Sequence, residues 1–285
     1  MLSRLAEQLE QLSPQVRKAA SHVLENPNDI GVSSIREFAE AADVKPNTLV
    51  RLARSVGFEG YEEFRELFRE DIRRGPVNFP DRTRWLQSLG QRGKLGELYR
   101  DMISATITNI EDTFSGIDDQ QLKSAAQTIL KSNQVFTLGV GVNSSNAHNF
   151  TYLASTGMVQ FHAIPKNGST PVDDLAWAGK KDVLIAITCK PYRSEVVAAV
   201  RIAREQGVKV IGISDSAASP IVVGSDHGFV VAADTPQFFP TSVTTIALLE
   251  TLLSFVIALS PAKVVTRVKK FHDRRHQLGL YEEDV

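Results

Sequence analysis

The chain has 285 residues, of which 42% are apolar and 23% charged, values typical of a soluble globular protein long enough for two domains. Its formal net charge of −1 neither favours nor excludes nucleic acid as a partner, so a DNA-binding hypothesis must depend on the local placement of charge. The single cysteine, Cys189, excludes an internal disulfide and favours a cytoplasmic location.

Residues 1–75 show helical patterns only and predict a compact helical module. The segment SPQVRKAASHVLENP has a Ser-Pro entry and ends at a proline. In the next segment Ser33 or Ser34 can cap a short helix, Pro46 begins a second one, and Gly57 ends it. A further amphipathic helix, GYEEFRELFREDIRRG, follows.

Two helices joined by a short turn within residues 34–56 match a helix-turn-helix, whose second helix enters the DNA major groove. If the apolar positions of that second helix face the core, its polar positions and Val50 face outward. Asparagine can pair with adenine, arginine with guanine or phosphate, and threonine with phosphate or a thymine methyl. A plain helical hairpin with a solvated charged face fits the same pattern. The candidate DNA-binding residues are Lys45, Asn47, Thr48, Arg51 and Arg54.

The segment 76–95 contains several Pro and Gly, and we interpret it as a linker with one helical turn around Trp85. Two helical patterns follow, at 96–114 and 118–131. Short runs rich in Val, Ile and Phe then alternate with helix-like segments, which is typical of a parallel sheet covered on both faces. We therefore predict an α/β fold: an N-terminal all-α module, then a flavodoxin-like domain within 96–285 with a five-stranded parallel sheet.

In the flavodoxin-like strand order 2-1-3-4-5, the loops after strands 1 and 3 face each other across one crevice. In the first loop Gly139 and Gly141 allow the backbone to approach a ligand closely, and the helix that follows favours anions at its N-terminus. The second loop, ITCKPYRSE, is polar and charged. Together the loops suit a small anion bearing hydroxyls, such as a sugar phosphate, although two ordinary surface turns also fit the pattern. The candidate ligand-binding residues are Gly141, Asn143, Ser144, Ser145, Thr188, Lys190, Arg193 and Glu195.

Other chemically active residues fit structural roles better. Cys189 has no partner base in the sequence and is expected to pack as a small apolar residue. Asp173 and Asp174 precede an apolar run and are expected to cap a helix. His272 and His276 show only a weak metal spacing, and no nucleophile–base pair emerges. We therefore predict no metal site, no cofactor and no catalytic residue.

The most apolar stretch, residues 243–259, contains Glu250. It is short and interrupted for a membrane span. We therefore predict a buried core helix at this place and no membrane partner.

With both halves in view, the chain resembles the RpiR-type bacterial transcription regulators, which pair an N-terminal helix-turn-helix with a C-terminal sugar isomerase (SIS) domain. The resemblance covers nearly the whole chain. It depends on SSIREFAEAADVKPNTLVRLARSVGFEGYEEFR in the first half and on VFTLGVGVNSSNAHNFTYLASTG and DVLIAITCKPYRSEVVAAVRIAREQG in the second. It implies a helix-turn-helix domain over 1–75, a linker over 76–95 and an SIS domain for effector binding and oligomerisation over 96–285.

The resemblance implies a repressor or activator that forms a homodimer or homotetramer, binds double-stranded operator DNA and responds to a sugar phosphate or sugar acid. By the same resemblance Thr48 and Arg51 fall on recognition-helix positions, and Glu195 matches the acidic residue that opens the helix after the second loop. The chain departs from the family where the first loop, usually GxGxS, has Asn143 in the Ser place. In the second loop, usually S-x-S-G-x-T-x-E, the Ser, Ser, Gly and Thr places are held by Thr188, Lys190, Pro191 and Arg193.

These departures leave two roles open for the second loop. Its two cations could hold a phosphate or a carboxylate directly, or they could tie the loop to a neighbouring subunit. The competing function is a sugar-phosphate isomerase with an accessory helical domain, for which His148, His162 and Glu195 are the candidate bases. A scaffold whose SIS domain only dimerises is a third hypothesis.

Overall fold

The computed structural model describes residue 5 and residues 9–74 and 78–281, and the chain divides into two compact units. The first, here called the helical unit, comprises residues 1–105 with 234–239, and the second, the sheet unit, comprises residues 106–233 with 240–285. The domain boundaries inferred from the sequence, at 75 and 95, stay a prediction.

The helical unit consists of short helices whose apolar faces meet in one core. Phe38, Leu52 and Phe64 lie at its centre and are almost fully buried. Burial of such large apolar side chains is the main source of stability for a small module, so this core fixes which face of each helix points outward. The helices are α1 (Pro14–Glu25), α2 (Pro27–Val32), α3 (Ile35–Ala41), α4 (Pro46–Ser55), α5 (Tyr61–Arg74), α6 (Phe79–Gln91) and the first part of α7 (Leu95–Ser115).

Helix α6 occupies most of the segment 76–95, so the expectation of a single helical turn in that segment is wrong. The side chain of Asn78 caps the helix by accepting a hydrogen bond from the backbone N–H of Asp81 at 3.3 Å. Trp85 and Leu89, four residues apart, are buried on one face. A cap and an apolar stripe therefore outweigh the glycine inside this helix. Residues 75–77 lie outside the described part of the chain.

The sheet unit is a five-stranded parallel sheet of order β2-β1-β3-β4-β5, which confirms the predicted flavodoxin-like order and fold class. The central strand β3 is buried along its whole length, as expected when helices cover both faces. The elements after α7 are α8 (Asp119–Lys131), β1 (Val135–Gly139), α9 (Val142–Ser155), β2 (Phe161–Ile164), α10 (Pro171–Asp174), β3 (Val183–Ile187), α11 (Ser194–Glu205), β4 (Lys209–Ser214), β5 (His227–Val230), α12 (Val243–Ala258) and α13 (Lys263–Gln277).

Two apolar clusters cover the two faces of the sheet. Helices α8, α9 and α12 contribute to one cluster, and α11 contributes to the other. Helix α12 buries Leu248, Leu252 and Val256 there, which confirms the predicted core helix, over Val243–Ala258. No single described helix is long and apolar enough to cross a membrane; α12 and α13 pass that test only as a pair, bent by 116°.

Candidate DNA-binding face and candidate effector crevice

Helices α3 and α4 form the predicted helix-turn-helix, and local hydrogen bonds set both ends of α3. Ser34 accepts a hydrogen bond from the backbone N–H of Glu37 at 3.2 Å, and the Glu37 carboxylate accepts one from the backbone N–H of Ser34 at 2.6 Å. These hydrogen bonds to Ser34 lower the pKa of Glu37. The reciprocal pair is a capping box, which satisfies two backbone donors that helix geometry leaves without a partner.

The turn between α3 and α4 depends on Asp43, whose φ of 50° lies in the left-handed region. With Asp43 in this conformation, its N–H reaches the carbonyl of Glu40 at 3.0 Å, and the N–H of Val44 reaches that of Ala39 at 2.9 Å. This Schellman pattern ends α3 and reverses the chain within four residues. Pro46 then begins α4, as the sequence predicts.

Helix α4 is strongly amphipathic. Leu49, Leu52 and Ala53 are buried in the core of the helical unit, whereas Asn47 and Arg51 are exposed one turn apart on the other side. The side chain of Arg51 makes no hydrogen bond or ion pair with any residue of the described ranges. An amide and an unpaired guanidinium on one exposed face are the groups that read adenine and guanine edges in a major groove.

Arg54 and Lys45 flank this pair, and both are exposed. The Nε of Arg54 donates to the carbonyl of Glu59 at 3.3 Å, which holds the guanidinium near the end of α4. Lys45 is the residue before the first turn of α4, beside backbone N–H groups that point away from the helix. Both positions suit phosphate contacts better than base contacts.

The expectation that Thr48 faces outward is wrong, because Thr48 is only 8% exposed. It lies one turn before Leu52, so it shares the edge of the face that Leu52 presents to the core. Thr48 is therefore better placed to pack α4 than to contact DNA, and the other four assignments on α4 stay predictions.

The loops after β1 and β3 face each other, because these two strands are hydrogen-bonded neighbours in the sheet. A Cβ added to Gly141 would lie 3.5 Å from Nη1 of Arg193, so side chains of the second loop reach the backbone of the first. Gly141 itself has φ +64°, a conformation that favours glycine. The two loops therefore border one crevice at the carboxyl edge of the sheet, as predicted.

Glycine is also required at the end of β1. A Cβ at Gly139 would lie 2.0 Å from the carbonyl oxygen of Asn143, a distance that no side chain tolerates. The first turn of α9 is therefore pressed directly against the strand. Its leading N–H groups consequently lie at the rim of the crevice, where the helix dipole favours an anion.

The polar residues of the first loop are less free than the sequence suggests. Asn143 and Asn146 are buried, and Nδ2 of Asn146 donates to Oδ1 of Asn143 at 3.1 Å. Ser145 donates to the carbonyl of Val142 at 2.9 Å, and Ser144 lies 3.4 Å from Nδ1 of His148. Asn143 thus positions the turn, and Ser144 and Ser145 are the more accessible polar residues of this loop.

Hydrogen bonds hold the beginning of the second loop in place. Thr188 is almost fully buried; its hydroxyl oxygen accepts a hydrogen bond from the backbone N–H of Arg193 at 3.2 Å. Its carbonyl accepts one from the buried hydroxyl of Ser214 at 2.6 Å, and Asp215 accepts the N–H of Lys190 at 3.3 Å. Thr188 therefore shapes the loop and is not itself exposed to a ligand.

The two cations of the second loop differ in whether they have a counter-ion. Arg193 donates to both carboxylate oxygens of Glu195, from Nη2 at 2.7 Å and from Nε at 3.2 Å. The hydrogen bonds from Arg193 lower the pKa of Glu195 to about 2. The Lys190 ammonium is exposed and has no side-chain partner within the described ranges. Of the two cations of this loop, Lys190 is consequently the unpaired one, and Arg193 has Glu195 as its counter-ion.

Sequence reasoning missed three residues that build this site: Asn146, Ser214 and Asp215. The last two lie at the end of the buried strand β4, at the same edge of the sheet as the two loops. Polar residues at the end of a buried parallel strand are the signal that would have found them. Asn146 carries no such signal, because its role depends on the rotamer of Asn143.

Cys189 and Asp173 take the structural roles expected from the sequence, whereas Asp174 does not cap a helix. Burial raises the pKa of the Cys189 thiol to about 12, and its side chain packs against the core. Thr170 and Asp173 form a capping box at α10, and Asp174 accepts the N–H of Lys166 at 2.8 Å. Within the described ranges, no group of three or more His, Cys, Asp or Glu could hold a metal ion.

Comparison with known proteins identifies both halves of the chain. Residues 1–74 match the family model described as the helix-turn-helix domain of the rpiR family, and residues 128–255 match the SIS domain model. The transcriptional regulator HexR of Pseudomonas aeruginosa is 24% identical over 229 residues, which cover 79% of this chain and 76% of HexR. An uncharacterised helix-turn-helix regulator of Haemophilus influenzae is 24% identical over 232 residues, covering 80% and 78% of the two chains.

Two solved structures share the fold. The NanR protein of Vibrio vulnificus, complexed with ManNAc-6P, aligns over 99% of both chains with a TM-score of 0.57 and 20% identity. The sugar isomerase domain of an RpiR transcription factor from Sphaerobacter thermophilus aligns over 62% of this chain and 99% of that domain. Its TM-score is 0.58 and its identity 23%.

Proposed function

The chain belongs to the RpiR family of helix-turn-helix transcription regulators with an SIS sensing domain, and we propose that it binds an operator through α4 and responds to a phosphorylated sugar or sugar acid. The observation that carries the DNA part is the exposed pair of Asn47 and Arg51 on a helix whose other face is fixed in the core. Homodimers or homotetramers that read two half-sites, and a cytoplasmic location, belong to this proposal.

The crevice between the β1–α9 and β3–α11 loops supports an anionic effector. It combines a helix N-terminus, the hydroxyls of Ser144 and Ser145, and the unpaired Lys190 ammonium. The complex of NanR with ManNAc-6P favours a sugar phosphate. Lys190 replaces a neutral hydroxyl of the family pattern, and a cation there binds a phosphate or a carboxylate more strongly than a hydroxyl does.

Two of the three candidate bases of the isomerase hypothesis are unsuitable. His162 lies in β2 with its Nε2 2.5 Å from Oε1 of Gln134, a residue that precedes β1 at the opposite edge of the sheet from the crevice. Glu195 is paired with Arg193, and a carboxylate with a pKa of about 2 is too weak a base to abstract a carbon-bound proton. The third candidate, His148, is exposed on α9 and donates from Nδ1 to the carbonyl of Ser144 at 2.8 Å, which leaves its Nε2 available; the case against an enzyme therefore depends on the two unsuitable bases and on the regulators that the chain resembles. We therefore propose that the chain is not an enzyme.

The DNA part is tested by Arg51→Ala in a gel-shift assay against the upstream region of the chain's own gene. Loss of one bidentate base contact should weaken binding by about 1–3 kcal/mol, roughly 5- to 150-fold, and relax the sequence preference. The matched control is Arg201→Ala, which removes an exposed arginine from α11. Equal binding by the wild type and Arg51→Ala contradicts the assignment.

The effector part is tested by a thermal-shift screen of phosphorylated sugars and sugar acids, with neutral sugars as controls. Ligands that bind only the folded chain raise its Tm, by an amount that grows with concentration. We expect anionic members of the panel to raise the Tm and their neutral counterparts to leave it unchanged. A panel with no hit would favour a scaffold that only oligomerises.

A further inference from the structure

Helix α13 is the most basic element of the sheet unit. Its fifteen residues include six Lys or Arg and one acid, Asp273, although the whole chain has a net charge of −1. No acidic residue occupies its first turn, where the helix dipole would favour one. This concentration of positive charge requires a physical explanation.

One face of α13 is fixed against α9. Val264 is almost fully buried, and Val268 and Phe271 lie partly buried on the same face. The contact is close because Gly157, just after α9, has no side chain: a Cβ there would lie 2.8 Å from Val264 and 2.9 Å from Val268. Arg275, on the same face, donates to the hydroxyl of Tyr152 at 2.6 Å. The rotation of α13 about its axis is therefore determined.

Four cations form a stripe on a different face of α13. Lys263, Arg267, Lys270 and Arg274 follow one another at i, i+4, i+7 and i+11, so they share one side of the helix. The 1.5 Å rise per residue gives the stripe a length of about 16 Å. All four residues are exposed. We call this set the basic stripe.

The basic stripe has no counter-ions within the described part of the chain: none of its four side chains makes an ion pair there. Exposed cations elsewhere in the sheet unit are paired in some places, as Lys209 is with Asp226 at 2.7 Å, and make no ion pair with described residues in others, as at Lys123 and Lys181. The distinguishing feature of the stripe is therefore the alignment of four such cations on one face of one helix. Like charges at i, i+4 weaken a helix, and Lys263 lies at the end where the dipole repels a cation. Helix stability therefore does not explain the arrangement, and an anionic partner does.

We propose that the basic stripe binds the phosphate backbone of duplex DNA and adds a sequence-independent contact to the sequence-reading face of α4. This inference rests on the proposed DNA-binding function. A rigid line of four unpaired cations, spread over the length of several base pairs, matches the regular negative charge of a duplex. Such contacts strengthen binding without carrying sequence information.

A membrane surface fits these observations less well. Helices that lie in a membrane interface insert an apolar face while their cations meet the headgroups. In α13 the apolar residues Val264 and Val268 are already packed on the core of the sheet unit, and Phe271 is partly buried with the Arg275 guanidinium 5.4 Å from its ring centroid. The exposed Val265 lies on the side of the helix away from the stripe.

The test is the salt dependence of DNA binding by the full chain, measured by fluorescence anisotropy at KCl concentrations from about 50 to about 300 mM. The stripe variant replaces Lys263, Arg267, Lys270 and Arg274 with Gln, which keeps helix propensity and length. Each lost phosphate contact lowers the slope of log K against log salt by about 0.9, so we expect a slope smaller by about 3–4 for each protomer bound. The control variant carries Gln at four exposed cations elsewhere in the sheet unit: Lys123, Lys131, Lys181 and Arg201.

The proposal is supported if the slope of the stripe variant falls on both the selected duplex and a scrambled duplex. The ratio of the affinities for these two duplexes must also be retained, and the control variant must keep the wild-type slope. An unchanged slope in the stripe variant overturns the proposal, and so does an equal fall in the control, which would show an effect of net charge only. Stronger binding of the wild type to phosphatidylserine vesicles than to DNA, lost in the stripe variant, overturns it in favour of a membrane contact.

Two variants that each replace half of the stripe serve as a check, in case the fourfold variant does not fold. Lys263→Gln with Arg267→Gln, and Lys270→Gln with Arg274→Gln, should each lower the slope by about 2. The proposed function is tested by a separate variant. Arg51→Ala should change the sequence preference and alter the slope of log K against log salt by no more than about 1. A wild type that binds no duplex refutes both ideas, whereas a specific wild type with an unaffected stripe variant refutes only the stripe.

Discussion

At the residue scale, the account depends on a few side chains whose surroundings differ sharply. Arg51 and Lys190 are exposed cations without ion-pair partners in the described ranges, whereas Arg193 is bound to Glu195 and Thr188 is buried in the base of its loop. An unpaired cation can bind an anion without first breaking another contact. We therefore propose that Arg51 reads the DNA sequence and that Lys190 makes the first electrostatic contact with the effector.

Removal of both loop cations tests the role of the second loop. Lys190→Ala combined with Arg193→Ala should abolish the Tm increase caused by any ligand identified in the thermal-shift screen, because the anionic group loses its charged partners. DNA affinity without ligand should stay within about twofold of the wild type. Lys190→Arg, which keeps the charge, is the matched control. A double variant that loses its oligomeric state in sedimentation experiments would instead give the loop a structural role.

The reactivity of Cys189 follows from its raised pKa. With a pKa of about 12, in place of 9.0, the thiol carries far less thiolate at about pH 8 when the chain is folded than when it is unfolded. Alkylation by iodoacetamide should therefore be at least about a hundredfold slower in buffer than in urea, and its rate should rise about tenfold per pH unit above about pH 8. Similar rates in the two solvents would show that folding neither raises the pKa of the thiol nor shields it from the reagent.

At the element scale, the strands and their order could be predicted from the sequence, because short apolar runs separated by helix-length segments admit few parallel arrangements. The place of the crevice follows from that order. The conformation of 79–91 was missed because Gly90 and the neighbouring prolines suggest a linker, while the stabilising burial of Trp85 and Leu89 depends on tertiary packing.

Contacts inside the site were harder to predict. Arg193 and Glu195 are two residues apart, a spacing that does not bring side chains together on a helix, and they meet because Arg193 is still extended at the N-cap of α11. Thr48 lies at the edge of the apolar face of α4, where a periodicity argument does not decide between burial and exposure. The rotamer pair of Asn143 and Asn146 has no signature in the sequence at all.

The tight contact at the end of β1 gives a prediction for the element that supports the crevice. Gly139→Ala places a Cβ 2.0 Å from the carbonyl oxygen of Asn143, so either β1 or the first turn of α9 must shift. We expect a loss of about 2 kcal/mol or more in the free energy of unfolding, measured by urea denaturation, together with a loss of ligand-induced stabilisation. Gly90→Ala is the control, since nothing lies within 4 Å of its added Cβ and alanine favours a helix interior. Equal denaturation midpoints for Gly139→Ala and the wild type would contradict the close packing.

At the scale of the whole molecule, one chain combines a helix-turn-helix with an SIS domain, and this combination underlies the assignment as a regulator. An effector can change DNA binding only if its affinity differs between a form of the chain that binds DNA and a form that does not. Ligand affinity and DNA affinity must then change each other by the same factor, whichever way the effect runs. Repression and activation are both compatible with this scheme.

The central claim is that this protein recognises a particular DNA sequence through α4. Selection from a library of random duplexes, followed by sequencing, tests it and requires no assumption about the operator. We predict that the wild-type chain enriches a single motif, bound about a thousandfold more tightly than a scrambled duplex at physiological salt, and that Arg51→Ala loses the preference at one or two positions of the motif. Enrichment of no motif by the wild type, or of an unchanged motif by Arg51→Ala, would contradict the account.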